Sequence, residues 1–208
     1  MSLKNISKKK LLSATATLTI LFATSAPSLA NNVEQIAPEY TPQNIGVISK
    51  DSTILEGLSA ANTLKQVEAA VKSTELANLL SQSTSYTIFA PRDSAFWKVS
   101  NDTYQELMSP SGTPELTSLL KAHTIEGSVN YTALEQKIQS STTGSASKQT
   151  LSGDTLTFKI DGKYITVTDK YGASAVITRP NIEQKNGFIH VINQVLTTEA
   201  EITLTASS

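Results

Sequence analysis

The sequence predicts an α+β fold in which helices come first along the chain and strands come later. Between Asn62 and Lys121, apolar residues recur at intervals of three and four, as on one face of an amphipathic helix. After Gly153, apolar and polar residues alternate, and the pair Asp161-Gly162 is typical of a two-residue hairpin turn. The chain has 208 residues, 39% of them hydrophobic, and no internal repeat, which favours one domain with a sizeable core.

Three helices are expected in the first half. Asn62 is placed to cap the first helix and Thr74 the second, and Pro114–Lys121 forms the third with its proline at an early helical position. The residues expected to face the core are Leu64, Val67, Ala70 and Val71 in the first helix, Leu76, Leu79 and Leu80 in the second, and Leu116, Leu119 and Leu120 in the third.

One strand is expected between the second and third of these helices, and four more are expected after the third. Tyr86–Ala90 is apolar, rich in β-forming residues and ended by Pro91, which predicts a buried strand, and Asp93 then offers a cap to a short helix over Ser94–Val99. The later strands are expected over Thr155–Ile160, Lys163–Thr168, Ala173–Thr178 and Phe188–Leu196. The low-complexity stretch Ser140–Ser147 is interpreted as an exposed connection between the two halves.

The first 30 residues have the three parts of an export signal. Lys8-Lys9-Lys10 precede an apolar run, and the small residues Ser28 and Ala30 suit cleavage near Ala30. A membrane anchor is disfavoured because the run is short and contains serine and threonine, whereas a spanning helix needs about 20 apolar residues. We therefore expect a secreted or periplasmic protein of a bacterial envelope, with a signal peptide over 1–30, a flexible lead over 31–50, one domain over 51–197 and a tail over 198–208.

Charge and cysteine content exclude several classes of protein. Cleavage would remove four lysines and no acidic residue, leaving 13 of the 17 basic side chains against all 18 acidic ones. The remaining basic residues are scattered, so a nucleic-acid partner is not expected. The chain has no cysteine, which means that packing must stabilise the domain without disulfides.

No set of residues suited to catalysis stands out. His123 and His190 are far apart and lie outside any closely spaced ligand pair, and the Ser-x-x-Lys pattern at Ser118–Lys121 and Ser145–Lys148 lacks its companion motifs. We therefore expect a protein that is not an enzyme and holds no metal or cofactor. His123 is interpreted as a helix-end residue bonded to backbone, and His190 as a half-buried strand residue with a polar partner. Trp97 is interpreted as a core or edge aromatic, with a recognition surface as the alternative.

Three segments resemble a known family. Tyr86–Phe96 (YTIFAPRDSAF) closely resembles the first conserved box of the fasciclin (FAS1) domain. Asn186–Leu196 (NGFIHVINQVL) resembles the second box, and Leu119–Gly127 (LLKAHTIEG) is similar to the central segment that carries a histidine and a glycine. The resemblance spans about Asp51 to Thr197. In physical terms both boxes look structural, and the residues that mark them are Phe89, Pro91, Asp93, Phe96, His123, Gly187 and His190.

The resemblance implies a FAS1 fold, with a β-wedge or sandwich of about seven strands and several helices packed at one side. It also implies an extracellular, non-enzymatic role in cell-surface adhesion or matrix interaction, with a surface protein or a matrix polysaccharide as partner. Animal relatives carry an Asp-Ile pair, linked to integrin contact, where this chain has Asn181-Ile182, so integrin-type adhesion is not expected even though these positions remain binding candidates.

The alternative function is a carrier of an apolar ligand such as a carotenoid, because some members of the family bind carotenoids. A crevice between helices and sheet would accept such a ligand. Its expected lining is Tyr86, Phe96, Trp97, Val176 and Phe188.

Overall fold

The computed structural model describes residues 45–196. The expected signal peptide and tail, and the lead as far as residue 44, lie outside the described residues. The end of that lead belongs to the domain, because Ile45 is only 3% exposed and packs in the helical core. The backbone amide of Asn62 also donates a hydrogen bond to the Ile45 carbonyl oxygen, at 2.8 Å. The packed domain therefore includes residues before Asp51.

Helices and strands follow one another in the order that the sequence predicts, with additional short elements. The helices are α1 (Ile54–Ala60), α2 (Lys65–Lys72), α3 (Leu76–Ser81), α4 (Asn101–Leu107), α5 (Thr113–Ala122) and α6 (Tyr131–Gln139), with 3₁₀ turns over Asp93–Lys98 and Pro110–Gly112. The strands are β1 (Tyr86–Pro91), β2 (Thr124–Glu126), β3 (Ser145–Gln149), β4 (Thr155–Asp161), β5 (Tyr164–Thr168), β6 (Ser174–Gln184) and β7 (Gly187–Ile192).

The seven described strands form one sheet in the order β2-β1-β7-β6-β5-β4-β3. Strands β1 and β7 are parallel, and every other neighbouring pair is antiparallel. The two edges of the sheet meet through a bridge between Ile125 and Thr150, and through the Leu151 amide, which donates to the Thr124 carbonyl oxygen at 2.8 Å. The sheet is therefore nearly closed into a barrel, and the predicted α+β class with about seven strands is confirmed.

The low-complexity stretch was wrongly expected to be only an exposed connection. Its last residues begin β3, which pairs along its whole length with β4. Ala146 of this strand is buried in the core inside the barrel, while its neighbours Ser145 and Ser147 point to the other face. The strand was not predicted because the segment is rich in serine and its buried, inward-facing residue, Ala146, is small.

Three of the expected helix caps, those by Asn62, Thr74 and Asp93, are made differently. Asn62 does not cap α2, since Leu64 holds the cap position without a side-chain hydrogen bond. The Asp93 carboxylate caps this helix instead, accepting from the Gln66 amide at 2.8 Å, so Asp93 serves α2 rather than its own turn. Thr74 does not cap α3, because its hydroxyl donates to the Val71 carbonyl oxygen at 3.0 Å.

Alternating residues of β1 and β7 supply two separate cores. Ile88 and Ile189 face the helices, where they join the larger hydrophobic cluster. Phe89 faces the interior of the barrel, where its ring lies 5.2 Å from the ring of Phe158. Residues of the first box therefore pack on both faces of the sheet.

Strand β7 ends at Ile192 rather than at Leu196. Asn193 then turns its side chain to the neighbouring strand, where its carboxamide oxygen accepts from the Val176 amide at 2.8 Å. The Asn193 amide also donates to the Val176 carbonyl oxygen at 3.2 Å. Asn193 therefore bonds to β6 through both its backbone and its side chain, directly after β7 ends.

His123 ties the end of α5 to the segment after β7. It is 2% exposed; its Nδ1 lies 2.7 Å from the Leu119 carbonyl oxygen, and its Nε2 accepts from the Leu196 amide at 2.9 Å. These partners require a neutral ring with the proton on Nδ1. Burial lowers the pKa of His123 from 6.5 to about 4, because the charged form would lose its solvation.

Gly187 sits where the backbones of β1 and β7 touch. Its φ is +135°, and a Cβ atom added to it would lie 1.7 Å from the Tyr86 carbonyl oxygen. No side chain fits at this contact, so glycine is required for the parallel pairing.

The variant Gly187→Ala is expected to lower the free energy of unfolding by about 3 kcal/mol or more, since it combines backbone strain with a steric clash. Gly162→Ala is the matched control: its φ is +58° but no heavy atom lies within 4 Å of the added Cβ. Left-handed strain alone should cost that variant about 1 kcal/mol. Urea denaturation of both variants measures the difference, and equal losses would contradict the proposed contact.

The free energy of unfolding should decrease as the pH falls, because His123 is buried in its neutral form. Because the folded pKa of about 4 lies below the unfolded value of 6.5, the stabilisation is complete above pH 6.5 and is lost as the pH falls toward 4. The loss from this group is expected to approach about 3 kcal/mol. Urea denaturation from pH 7 to pH 4 should show a steeper pH dependence for the wild type than for His123→Gln, and parallel profiles would contradict this assignment.

Candidate binding surface

An open groove of about 430 Å³ lies beside the C-terminal half of β6. One wall is the chain segment that precedes α1, and the other is an irregular part of β6. The residues that line the groove are Ile45, Gly46, Val47, Ile48 and Lys50 on the first wall, and Arg179, Pro180, Asn181, Ile182 and Glu183 on the second. We call this cleft the β6 groove.

A double irregularity in β6 shapes the second wall. The register between β6 and β7 shifts between Ile177 and Arg179 and again between Arg179 and Ile182. Asn181 has a φ of 58°, and asparagine is one of the few residues that adopt this left-handed conformation readily. Bulges of this kind redirect side chains and are common beside functional sites.

Hydrogen bonds hold the irregular part of β6 to neighbouring elements. The carboxamide oxygen of Asn181 accepts from the Tyr131 amide at 2.7 Å, so it satisfies the start of α6. The Asn181 amide donates to Nδ1 of His190 at 3.1 Å, and Nε2 of His190 lies 2.8 Å from the Val129 carbonyl oxygen. The groove wall is therefore fixed to α6 and to the loop before it.

His190 is more deeply placed than expected. It is fully buried, with its ring 5.4 Å from Phe89 and 6.2 Å from Phe188, so the interpretation as a half-buried residue was wrong in depth. Burial lowers its pKa, because the imidazolium would lose its solvation. The ring is neutral, carries its proton on Nε2 and serves to position the bulge.

The structure brings together the two binding candidates that the sequence identified in β6. Asn181 is exposed, and Ile182 is half-buried against the helical core, so each presents only part of its surface to the groove. Sequence reasoning missed the opposite wall, where Val47 is 96% exposed. Ile45 and Ile48, which anchor that wall on the core, were the available signal: two isoleucines at a spacing of three.

The groove offers mixed chemistry. Val47, Ile48, Pro180 and Ile182 supply apolar surface, Lys50 and Arg179 supply positive charge, and Glu183 supplies one carboxylate. These groups suit a partner that combines apolar side chains with charge of either sign. They do not resemble an acid–base or nucleophilic centre.

Trp97 lies on the surface, not in the core. It is 84% exposed on the 3₁₀ turn Asp93–Lys98, and it is not among the residues that line the β6 groove. The interpretation as a core or edge aromatic was therefore wrong, because Ala95 and Phe96 take the inward positions of that turn.

The expected carotenoid crevice does not form. Tyr86 pairs in register with Gly187 and faces the helices, whereas Phe188 pairs with Thr87 and faces the opposite side of the sheet. Trp97 is exposed to solvent. Side chains on two faces of one sheet cannot line a single cleft, so the five residues proposed from the sequence are not brought together.

The two Ser-x-x-Lys patterns lie in regular secondary structure, the first in α5 and the second in β3. Lys121 of the first Ser-x-x-Lys pattern forms an ion pair with Glu75, and the second pattern lies along β3. Within residues 45–196, no group of three or more His, Cys, Asp or Glu side chains is arranged to hold a metal ion. None of the helices described in that range is long and apolar enough to span a membrane.

Comparison with known proteins gives consistent relatives. A family model for the Fasciclin domain matches residues 62–198. Protein sll1483 of Synechocystis sp. is 30% identical over 181 residues, which cover 84% of this chain and 89% of that protein. Human periostin is 28% identical over 145 residues, which cover 70% of this chain and 16% of periostin.

A solved structure supports the fold independently. The FAS1 domain pair from the insect cell adhesion molecule Fasciclin I aligns with a TM-score of 0.64 at 22% identity, covering 73% of this chain and 52% of that one. The motifs, the sheet order and these matches agree with one another, and the chain belongs to the fasciclin domain family.

Proposed function

We propose that this chain is a secreted, non-enzymatic fasciclin-domain protein that mediates cell-surface adhesion or matrix interaction, and that it contacts its partner in the β6 groove. The observation that carries the proposal is the groove itself, a ready-formed cleft that combines apolar and charged residues. The export-type sequence over residues 1–30 supports a role outside the cytoplasm. The insect relative of the same fold is described as a cell adhesion molecule.

The hydrogen bonds behind the groove support binding to a preformed surface. Asn181 is joined to α6 and to His190, and Ile182 packs on the helical core, so this wall needs little ordering when a partner arrives. Binding to an ordered wall avoids part of the entropy cost of association. The role of both buried histidines as hydrogen-bonded ties supports a binding function over acid–base catalysis.

Of the two partner classes, a surface protein fits the groove better than a matrix polysaccharide. Five apolar side chains contribute to its walls, namely Ile45, Val47, Ile48, Pro180 and Ile182. An extended polypeptide segment has apolar side chains to place against them, and acidic side chains to pair with Lys50.

Val47 gives the sharpest test, because its side chain is 96% exposed and its replacement leaves the core intact. In a strain that lacks the protein, expression of the wild type should restore surface attachment, whereas Val47→Asp should leave attachment near the level of the deletion strain. A buried carboxylate against apolar partner atoms is the physical reason for the loss. Attachment is measured as retained cells after a defined wash.

Val47→Ile is the matched control, since it keeps an apolar side chain at the same position and should restore attachment. Both variants should unfold at the wild-type temperature. Wild-type attachment by the deletion strain would contradict the adhesion function, and full restoration by Val47→Asp would contradict the groove as its site.

A further inference from the structure

The chain itself reaches the β6 groove at Ile45. Residues 31–44, which we call the arm, directly precede Ile45 and lie outside the described residues. Ile45 lines the groove and is 3% exposed, and its carbonyl oxygen accepts from the Asn62 amide at 2.8 Å. The arm is therefore joined to the domain at a fixed point on the wall of the groove.

The arm has the composition that the groove suits. Its two acidic residues are Glu34 and Glu39, and it contains no lysine or arginine. Its larger apolar side chains are those of Val33, Ile36 and Tyr40. The charged side chains of the groove are two basic ones and one acidic one, those of Lys50, Arg179 and Glu183. Both the arm and the groove thus combine apolar surface with charge, and the net charges have opposite sign.

A turn signal separates these arm residues from Ile45. In the sequence Thr41-Pro42-Gln43-Asn44, proline holds the second position of a β-turn, where its fixed φ is favoured. Such a turn directs the preceding residues back along the groove. The eight residues 33–40 span about 26 Å when extended, against about 16 Å for the five β6 residues that line the groove. The arm is therefore long enough to cover the second wall.

The short connection favours docking within one molecule. A segment that is tethered beside its own site has an effective concentration in the millimolar range. A contact that is weak between separate molecules is then occupied for much of the time. The groove volume of about 430 Å³ also lies within the range of ligand pockets, which is about 300–1,000 Å³. Side chains of the size of Ile36 and Tyr40 therefore have room in it.

We propose that the arm docks in the β6 groove, with Ile36 and Tyr40 against its apolar walls, and that it must leave before a partner binds there. The contact is autoinhibitory, because the arm and the partner use the same walls. This regulatory consequence rests on the proposed function of the groove. The docking of the arm does not, and it is tested without a partner.

The chain has no cysteine, so one introduced thiol labels a single position. In the purified protein that begins at residue 31, a nitroxide attached through Ala37→Cys broadens the NMR signals of nearby amides. The amides of Asn181 and Ile182 should lose most of their intensity, and that of Gly172, at the other end of β6, should keep it. Unbroadened signals at Asn181 and Ile182 would overturn the proposal.

An arm that does not dock also passes near the groove, because the eight residues between position 37 and Ile45 span only about 16 Å as a random coil. Ile36→Asp separates the two cases. It should restore the intensity of the Asn181 and Ile182 signals severalfold, because a carboxylate is disfavoured against apolar walls. Gln35→Asp is the matched control, since it adds the same charge one position away and should leave the broadening unchanged. Equal broadening in both variants would contradict docking.

Variants of the domain locate the site. Val47→Asp should restore the β6 signals as Ile36→Asp does, whereas Trp97→Asp, which changes an exposed side chain outside the groove lining, should not. Dispersed amide signals in the same spectra establish that each variant is folded. Broadening that persists in Val47→Asp would overturn the groove as the docking site. Stronger broadening at Asn181 from a label at Ser207→Cys would overturn the arm as the occupant.

The regulatory consequence is tested in the attachment assay. Ile36→Asp should retain severalfold more cells than the wild type at low expression, because the partner no longer displaces the arm. Attachment equal to that of the wild type would overturn the autoinhibition. The labelled samples contain neither cells nor partner, so a failure of the adhesion function leaves the docking result unaffected.

Discussion

The parallel pairing of β1 with β7 is the contact on which the rest of the domain depends. It joins segments about a hundred residues apart in the chain, in register from Tyr86 beside Gly187 to Pro91 beside Ile192. The missing side chain of Gly187 allows the two backbones to meet. Because each strand alternates between faces, this single pair supplies the helical core and the barrel interior at once.

Asn186, the residue before Gly187, links this strand pair to the helices. The Asn186 carboxamide oxygen accepts from the Ile54 amide at 2.8 Å, at the start of α1. Its amide nitrogen donates to the carbonyl oxygens of Leu80 and Gln82, at 2.9 and 2.8 Å, at the end of α3. Asn186 therefore satisfies backbone groups at two helix termini, far more than the turn that its Asn-Gly sequence indicates.

The two buried histidines also join separate elements, with the proton of His123 on Nδ1 and that of His190 on Nε2. His123 joins α5 to the segment after β7, and His190 joins β7 to the bulge of β6 and to the loop before α6. Their ring nitrogens are thus occupied by the backbone. Both histidines therefore join separate parts of the fold through hydrogen bonds to backbone groups.

Local patterns predicted the elements whose signals are local. The apolar run of β1, the Asp161-Gly162 hairpin and the helix that contains Pro114 are all present. Helix α1 was missed, although Thr53 and Glu56 form a capping box that the sequence displays. The parts that could not be predicted depend on distant partners: Asp93 caps a helix that precedes it by 27 positions, and Asn181 serves α6 from 50 positions away.

The sequence also did not predict the face of the sheet on which a side chain lies. Tyr86 and Phe188 were expected to share a crevice, but the register of β1 against β7 places them on opposite sides of the sheet. Trp97 was interpreted as a core or edge aromatic, yet Ala95 and Phe96 fill the inward positions of its turn and Trp97 is exposed. The residue type shows that a side chain is apolar, but the strand register decides which face of the sheet that side chain occupies.

The protonation of the two histidines tests the central claim most directly. Two-dimensional NMR of the ¹⁵N-labelled protein distinguishes the tautomers of His123 and His190 and follows each through a pH titration. The account predicts that at pH 6 both rings are neutral, with the proton of His123 on Nδ1 and that of His190 on Nε2. A histidine that titrates with the ordinary pKa, or that holds the other tautomer, would contradict a framework in which both rings serve only as ties between backbone segments.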